Sequence, residues 1–383
     1  MAIKIRNMYE RVYAPANLYR AAHVTLLKGL RFRPKGAEWK KDMEYHVHGL
    51  YHKLKNRSYR HGSYEVFKVY DPKERVILAA PLSDRVVHHA VHDLIEPVID
   101  RKFIAHSYAC RQGKGQHLGV KKAQSFLRGY DYFIHLDVKK YFYSIHRPTL
   151  TKIMRRTVQD EGIDWLLSEI IDSSTRHPYS ERTALGTQTE LFAAPPAEIP
   201  KITNDVRGLP IGNLCSQLFA NWYLNELDQF VKHQLKHHPY LRYMDDFVLF
   251  SNDKRQLMAL EREITDYCLH VLKLYLHPSG GASVYRNGLT FLGFRIFRDH
   301  IRVKPASVRR FTKRLVNDVA TIPYRSPEGF EQLYRKVQSW NAHVQHADSF
   351  GLRRQVLGRY KVTAFMHRLD FDYKLMRGVL SWN

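Results

Sequence analysis

An α+β fold is predicted by three observations on this 383-residue chain. Short β-rich runs flank acidic residues, longer stretches carry apolar positions at helical spacing, and no heptad series or fixed-period repeat runs through the sequence. Residues 1 to 60 read as helices, because charged and apolar residues mix at that spacing through LYRAAHVTLLKGLRF and EWKKDMEYHVHGLYHKLKNRSY. The period then changes. In YEVFKVYDPKERVILAA, β-rich residues stand on both sides of Asp71-Pro72-Lys73-Glu74-Arg75, the pattern of a hairpin with a charged turn. Residues 83 to 101 predict a helix with Ser83 as N-cap and with Val86, Val87, Ala90, Val91, Leu94 and Ile95 on one face. YDYFIHLDVKKYFYSI is a short apolar strand running into Asp137, and helical periodicity returns in LTKIMRRTV and DWLLSEIIDSS. Residues 176 to 207, rich in Pro, Thr and Ala, predict a long loop or insertion. GLPIGNL and the helix SQLFANWYLNELDQFVKHQL follow, and then YLRYMDDFVLFS, two apolar runs around a tight acidic turn. A helix in KRQLMALEREITDYCLHVLKL, strands in GLTFLGFRIFRDHIRV, and a helical, basic stretch from about 304 to 383 complete the pattern.

Composition narrows the function. Lys and Arg number 61 against 37 Asp and Glu, a net charge of +24, while 44% hydrophobic residues supply a core. A folded, strongly basic body seeks a polyanion. No run approaches twenty apolar residues, and the start MAIKIRNMYER is polar, so no membrane partner and no signal peptide are expected, and a cytoplasmic location is. Cys110, Cys215 and Cys268 are odd in number and lack zinc spacing, as expected of reduced thiols. The 22 histidines likewise form no zinc set and read as surface or RNA-facing residues.

Basic charge does not separate an enzyme from a catalytically silent RNA-binding scaffold; the carboxylates do. Asp245 and Asp246 follow Tyr243-Met244 between apolar strand segments, and Asp137 stands in a comparable place after Phe133-Ile134-His135-Leu136. Adjacent carboxylates among apolar neighbours repel and lose hydration, for which a divalent cation with oxygen ligands is the usual remedy. Three convergent acids suit two Mg2+ ions, with Mn2+ as a possible substitute, and hence in-line phosphoryl transfer. The competing reading, Asp residues simply serving a hairpin turn, explains the pair but not its context.

Tyr243-Met244-Asp245-Asp246 resembles the YxDD box of reverse transcriptases, and LDVKKYFYSI resembles their first acidic motif. The likeness continues through Lys73-Glu74-Arg75, Ser83-Asp84-Arg85-Val86-Val87-His88-His89-Ala90, Ser107-Tyr108-Ala109-Cys110-Arg111 with Gly113-Lys114-Gly115, and Phe291-Leu292-Gly293-Phe294, so that it covers about residues 50 to 300. It implies a right-hand polymerase with fingers over 1–125, returning over 176–215, a palm with a ferredoxin-like antiparallel sheet over 126–300, and a short helical thumb over 301–383. These are expected to take up the whole chain, leaving none for further enzymatic modules. It also implies template RNA, primer, cDNA and dNTPs as partners.

Within Gly208-Leu209-Pro210-Ile211-Gly212-Asn213-Leu214-Cys215-Ser216-Gln217, Ile211 and Gln217 depart from the family's usual Gln-Gly and Ser-Pro pairs. The segment resembles reverse transcriptases of diversity-generating retroelements, which copy a template RNA with frequent errors opposite adenine; Ser339 to Asp348 resembles their thumb signature, with Asn341 where Gly is usual. That group implies a bacterial, archaeal or phage source, mutagenic retrohoming and a small basic accessory protein. Retron and antiphage-defence reverse transcriptases are the rival group. By resemblance Asp137, Asp245, Asp246 and the Val138 carbonyl hold the metals. Lys73 and Arg75 grip the triphosphate, or are solvated turn charges. Phe142 is the aromatic gate against a ribose 2′-hydroxyl, or packs in the core; Tyr141, Ile211, Gly212 and Gln217 complete the nucleotide site. Phe291, Leu292 and Gly293 form the primer grip. The lysine often proposed to protonate pyrophosphate is missing from His277-Pro278-Ser279-Gly280, and His277 or Lys273 is left to substitute. Arg309-Arg310, Lys313-Arg314, Arg353-Arg354 and Lys361 line a groove for the template-primer backbone, or form a docking face.

Overall fold

The computed structural model describes residues 3–27, 32–70, 74–176, 206–321 and 327–359. Two compact units are distinguished: Met1–Gly115 with His135–Phe247 and Met258–Ser279, and Gln116–Ile134 with Val248–Leu257 and Gly280–Asn383.

The first unit begins with the expected helices, α1 (Tyr9–Tyr13), α2 (Pro15–Leu26), α3 (Pro34–Lys41) and α4 (Met43–Lys55). Pro15 and Pro34 stand in first turns, where a missing N–H loses no hydrogen bond. β1 (Glu65–Tyr70) and β2 (Glu74–Ala79) form the antiparallel hairpin, with Phe67 opposite Ile77 and Val66 opposite Leu78. Alternation sends Val66, Val76 and Leu78 to one face, where they pack with Tyr64 and Ala80.

Helix α5 (Leu82–Asp100) fully covers Val86, Val87, Ala90, Val91 and Ile95 of the predicted stripe and leaves Leu94 half-buried. Its N-cap is Pro81 rather than Ser83. Pro81 O already accepts from Arg85 N at 3.0 Å, so the helix starts ahead of the serine, whose hydroxyl instead accepts from Trp39 Nε1 at 3.3 Å. α6 (Gln116–Gly129) belongs to the second unit, and β3 (Tyr132–Asp137) contributes residues to both.

Beyond Asp137 come α7 (Tyr141–Ser144), α8 (Arg147–Arg155), α9 (Glu161–Arg176) and α10 (Leu214–Gln229). α10 is buried nearly all round, its polar Ser216, Asn221, Asn225 and Asp228 included, and ends in a π-helical turn over Phe230–Gln234. β4 (Tyr240–Tyr243) and β5 (Asp246–Ser251) make the acidic hairpin, and α11 (Lys254–His270) follows. With β6 (Ser283–Val284) these strands give a sheet of order β4-β5-β3-β6.

The second unit also holds an antiparallel three-stranded sheet, β7 (Leu289–Phe291), β8 (Phe294–Ile296) and β9 (Ile301–Val303). α12 (Pro305–Thr321), α13 (Pro327–Val344) and α14 (Phe350–Arg359) follow. Gln124 Nε2 and Arg128 Nε of α6 donate to the carbonyls of Phe297 and Arg298 at 3.1 and 2.8 Å, tying helix to strands. His117 of α6 stacks on His346, ring centroids 3.4 Å apart, with His343 at 6.1 Å.

The expected mixture of helix and antiparallel sheet is therefore present. Lys73, the segment 177–205 and residues 360–383, with Lys361, lie outside the described residues. Cys110, Cys215 and Cys268 are free thiols. Among the described residues no helix is long and apolar enough to cross a membrane.

Candidate active site

The acidic hairpin turns at Met244, whose φ of 56° is left-handed and costly for a residue with a Cβ. Something must hold it, and Arg242 does. This side chain is wholly buried at the end of β4. Its guanidinium donates to both carboxylate oxygens of Asp228, at 2.8 and 2.6 Å, to Asn221 Oδ1 at 3.1 Å and to Met244 O at 2.9 Å. Tyr240 donates a further 2.8 Å bond to Asp228. The fork of Arg thereby converts the rigidity of α10, which carries Asn221 and Asp228, into a fixed turn. Sequence reading did not single out these residues, although an Arg inside the apolar run YLRY requires a buried partner and was the available signal.

Asp137 ends β3, and the Val138 amide donates to Asp245 O at 3.2 Å, which brings the two acidic segments together. Burial, followed by the charge of Asp137 and then that of Asp246, pushes the Asp245 carboxyl up to about 6, while Arg242 opposes the rise. The three predicted acids are thus close enough to repel. His135, two positions before Asp137 and so on the same face of β3, hydrogen-bonds Asp246 Oδ1; the sequence reading also passed over this residue. The 275–277 segment runs alongside, Lys139 N donating to Tyr275 O at 2.8 Å and His277 N to Asp137 O at 2.9 Å. His277 therefore adjoins Asp137 through its backbone. Lys273 is exposed, and its carbonyl accepts from Arg207 at 2.7 Å.

Among the described residues no three His, Cys, Asp or Glu side chains are grouped so as to hold a metal ion by themselves. A hard cation such as Mg2+ does not need such a group, because it takes one or two carboxylates and completes its shell with water and substrate phosphates. The crowded charge on Asp245 is what such an ion relieves, so the donor set fits the expected metal.

Of the predicted nucleotide residues, Phe142 and Ile211 are linked through backbone pairing of the 206–211 segment. Arg147 N donates to Val206 O, Gly208 N to Ile145 O and Leu209 N to Phe142 O, and Leu78 N donates to Ile211 O at 2.8 Å. The segment 206–212 thus lies between the α7 region and β2. Gly212 has φ 119°, and a Cβ there would stand 2.8 Å from Leu78 O, so only glycine fits. Ile211 is half-buried, Gln217 exposed, and Arg75 exposed on β2. Phe142 is half-buried, whereas Tyr141 is buried and donates its hydroxyl to Ala220 O at 2.6 Å. In the second unit, Phe291, Leu292 and Gly293 make the β7–β8 turn, with Leu292 and Gly293 at φ 49° and 85°. Gln116 Nε2 donates to Leu292 O at 2.8 Å, and Phe291 is buried.

Comparison with known proteins adds an independent line. The profile of the family described as reverse transcriptase (RNA-dependent DNA polymerase) matches residues 68–296. Protein YkfC of Escherichia coli (strain K12) is 26% identical over 306 residues, covering 69% of this chain and 72% of that one. A 91 kDa protein in the cob intron of Schizosaccharomyces pombe is 22% identical over 149 residues, 39% of this chain and 16% of the relative. Among solved structures, telomerase from Candida albicans in complex with a fragment of telomeric RNA matches at TM-score 0.40 and 10% identity, covering 75% of this chain and 57% of that one. The chain thus spans less than two thirds of those last two proteins. Because the family profile takes in well over half of the chain, from β1 to β8 and through all three aspartates, this protein belongs to the reverse transcriptase family: an RNA-directed DNA polymerase of the α+β, right-hand class.

Proposed function

We propose that the protein copies a template RNA into cDNA, within a diversity-generating retroelement, and does so inaccurately opposite template adenines. The observation that carries the catalytic part is the crowding of Asp137, at the end of β3, with Asp245 and Asp246 of the turn that Arg242 braces. The three carboxylates and the Val138 carbonyl would hold Mg2+, which when bound would supply positive charge for deprotonation of a primer 3′-hydroxyl and for departure of pyrophosphate. The chain's own residues position the reactants. Arg242 fixes the Met244 turn, so the acids need not reorganise as charge develops. Arg75, exposed on β2, and Lys73 of the same hairpin grip the triphosphate. In this reading Phe142 excludes a ribose 2′-hydroxyl, and Ile211 and Gly212, whose segment pairs with Leu78 of β2, shape the floor of the nucleotide site. In this reading residues 1–125 with 176–215 act as fingers, 126–300 as palm and 301–383 as thumb, with Phe291, Leu292 and Gly293 holding the primer end. His277 or Lys273 supplies the proton to pyrophosphate.

Support for the error-prone type comes from Ile211 and Gln217. Ile211 offers shape alone where an amide would hydrogen-bond the incoming nucleotide, so a misaligned pair forfeits little. Its partial exposure suits that role better than core packing does. A small basic accessory protein is the expected partner of such an enzyme. The test is extension of a DNA primer on RNA with dNTPs and Mg2+, followed by sequencing of the product. Extension with errors concentrated at template adenines is expected, and Asp245→Asn with Asp246→Asn abolishes extension while leaving RNA binding. Normal extension by that double variant would overturn the catalytic assignment. Errors spread evenly over the four template bases would instead point to a retron-like or defence enzyme.

A further inference from the structure

Helix α4 turns Val47, Leu50 and Leu54 into the core of the first unit. Tyr9 of α1 closes that side, donating its hydroxyl to Leu54 O at 2.5 Å. About half a revolution round the helix stand two histidines. His48 and His52 are four residues apart, so at about 3.6 residues per turn their side chains lie one above the other, and both are exposed. Their Nε2 atoms face each other at 3.1 Å, with ring centroids 4.4 Å apart and ring planes crossed at 70°. His52 also meets the Tyr51 ring edge to face at 5.1 Å, and the Tyr51 hydroxyl accepts from Lys55 Nζ at 3.1 Å, which steadies this side of the helix.

Two features separate this pair from an ordinary surface contact. One is the atoms that meet. A hydrogen bond between two Nε2 atoms needs a proton on one and a lone pair on the other, so an ion that replaces the proton finds two nitrogen ligands side by side. The other is their spacing. Imidazole nitrogen binds a transition metal at about 2.0 to 2.1 Å, and two nitrogens 3.1 Å apart then subtend roughly 95° to 102° at the ion. That bite falls between the right angle of square-planar or octahedral ions and the wider angle of a tetrahedral one. Because both rings are exposed, a small turn about their side-chain bonds aims both lone pairs at an ion seated beside the contact.

We infer that His48 and His52 chelate one divalent transition-metal ion, Cu2+, Ni2+ or Zn2+, through both Nε2 atoms, with water in the remaining positions. Imidazole suits these ions, whereas Mg2+ prefers carboxylate and water, so the pair ignores the cation expected at the aspartates. Both ligands stand on one helix whose opposite side is packed, and little has to be ordered when the ion arrives. Two protein ligands make a more open site than a zinc centre with three or four, in keeping with the lack of a three-residue metal group among the described residues. His52 belongs to the last turn of α4, where a helix frays, so the ion would clamp that end.

The test uses the full chain, prepared without a polyhistidine tag, and has no catalytic readout. Diethyl pyrocarbonate, which carbethoxylates a free imidazole nitrogen, is applied with and without micromolar Cu2+, Ni2+ or Zn2+. Peptide mapping then reads this pair apart from the other histidines. Modification of both residues should fall when the ion is present. His48→Ala should remove the protection of His52, and His52→Ala that of His48, each weakening binding about tenfold or more, because the second arm of a chelate acts at high effective concentration. Both positions are exposed and alanine is the best helix former, so α4 is kept in the variants. Millimolar Mg2+ should protect neither residue. Absence of protection with all three ions, protection of one histidine that persists when the other is alanine, or equal protection by Mg2+ overturns the inference.

Discussion

At the scale of single residues, the brace under the acidic turn makes the sharpest predictions. Arg242→Ala leaves Asp228 charged, buried and unpaired, and should destabilise the protein by about 3 to 5 kcal/mol in chemical denaturation. Arg242→Met with Asp228→Leu removes both charges and should recover most of that loss. Polymerisation should nevertheless stay low in the double variant, because nothing then holds Met244 O. Equal activity of double variant and parent would show that the brace serves stability alone. At the nucleotide, Phe142→Ala should admit ribonucleotides, read as a rise of about tenfold or more in their relative kcat/KM. Ile211→Gln should reduce misincorporation opposite adenine about two- to tenfold, the range one added hydrogen bond supplies. The aspartates were legible in the sequence because carboxylates between apolar strands are expensive wherever they occur. Arg242, Asp228 and Asn221 were not, since their worth lies in a meeting of strand and helix that no local pattern records.

At the scale of elements, helical and strand periodicity placed nearly every segment, and the exceptions have local causes. Ser83 looked like a cap, but Pro81 supplies the first acceptor two residues earlier. His117, His343 and His346 looked like surface histidines, yet they join α6 to the end of α13. Burial comes first in lowering all three from the ordinary 6.5; His346 and His343 add to it at His117, His346 adds at His343, and Lys121 adds at His117 and His346. For a base held below its unfolded value, the unfolded chain binds protons more readily. The stabilisation from this cluster is therefore complete above about pH 6.5 and is lost as pH falls below it. Thermal melts between pH 7.5 and 5.5 should show that decline, and His346→Gln should make it shallower. Identical slopes would place the acid sensitivity elsewhere.

At the scale of the whole molecule, the charge of +24 and the family agree on a polyanionic partner. Binding to primed RNA should weaken about 10³- to 10⁵-fold between roughly 50 and 200 mM salt if six to ten phosphates are engaged, measured by titration at several ionic strengths. A nearly flat dependence would mean that the basic surface faces something else. Charge and motif order were readable along the chain, whereas a cleft against the β1–β2 hairpin was not: Arg33, Phe67, Arg85, His88 and Asn213 converge only after folding.

The Arg242–Asp228 pair also bears on heat. Withdrawing ions from water becomes less unfavourable as temperature rises, while hydrophobic stabilisation levels off. The acidic turn should then keep its shape close to the melting transition, so that synthesis fails by global unfolding and not by an earlier softening of its centre.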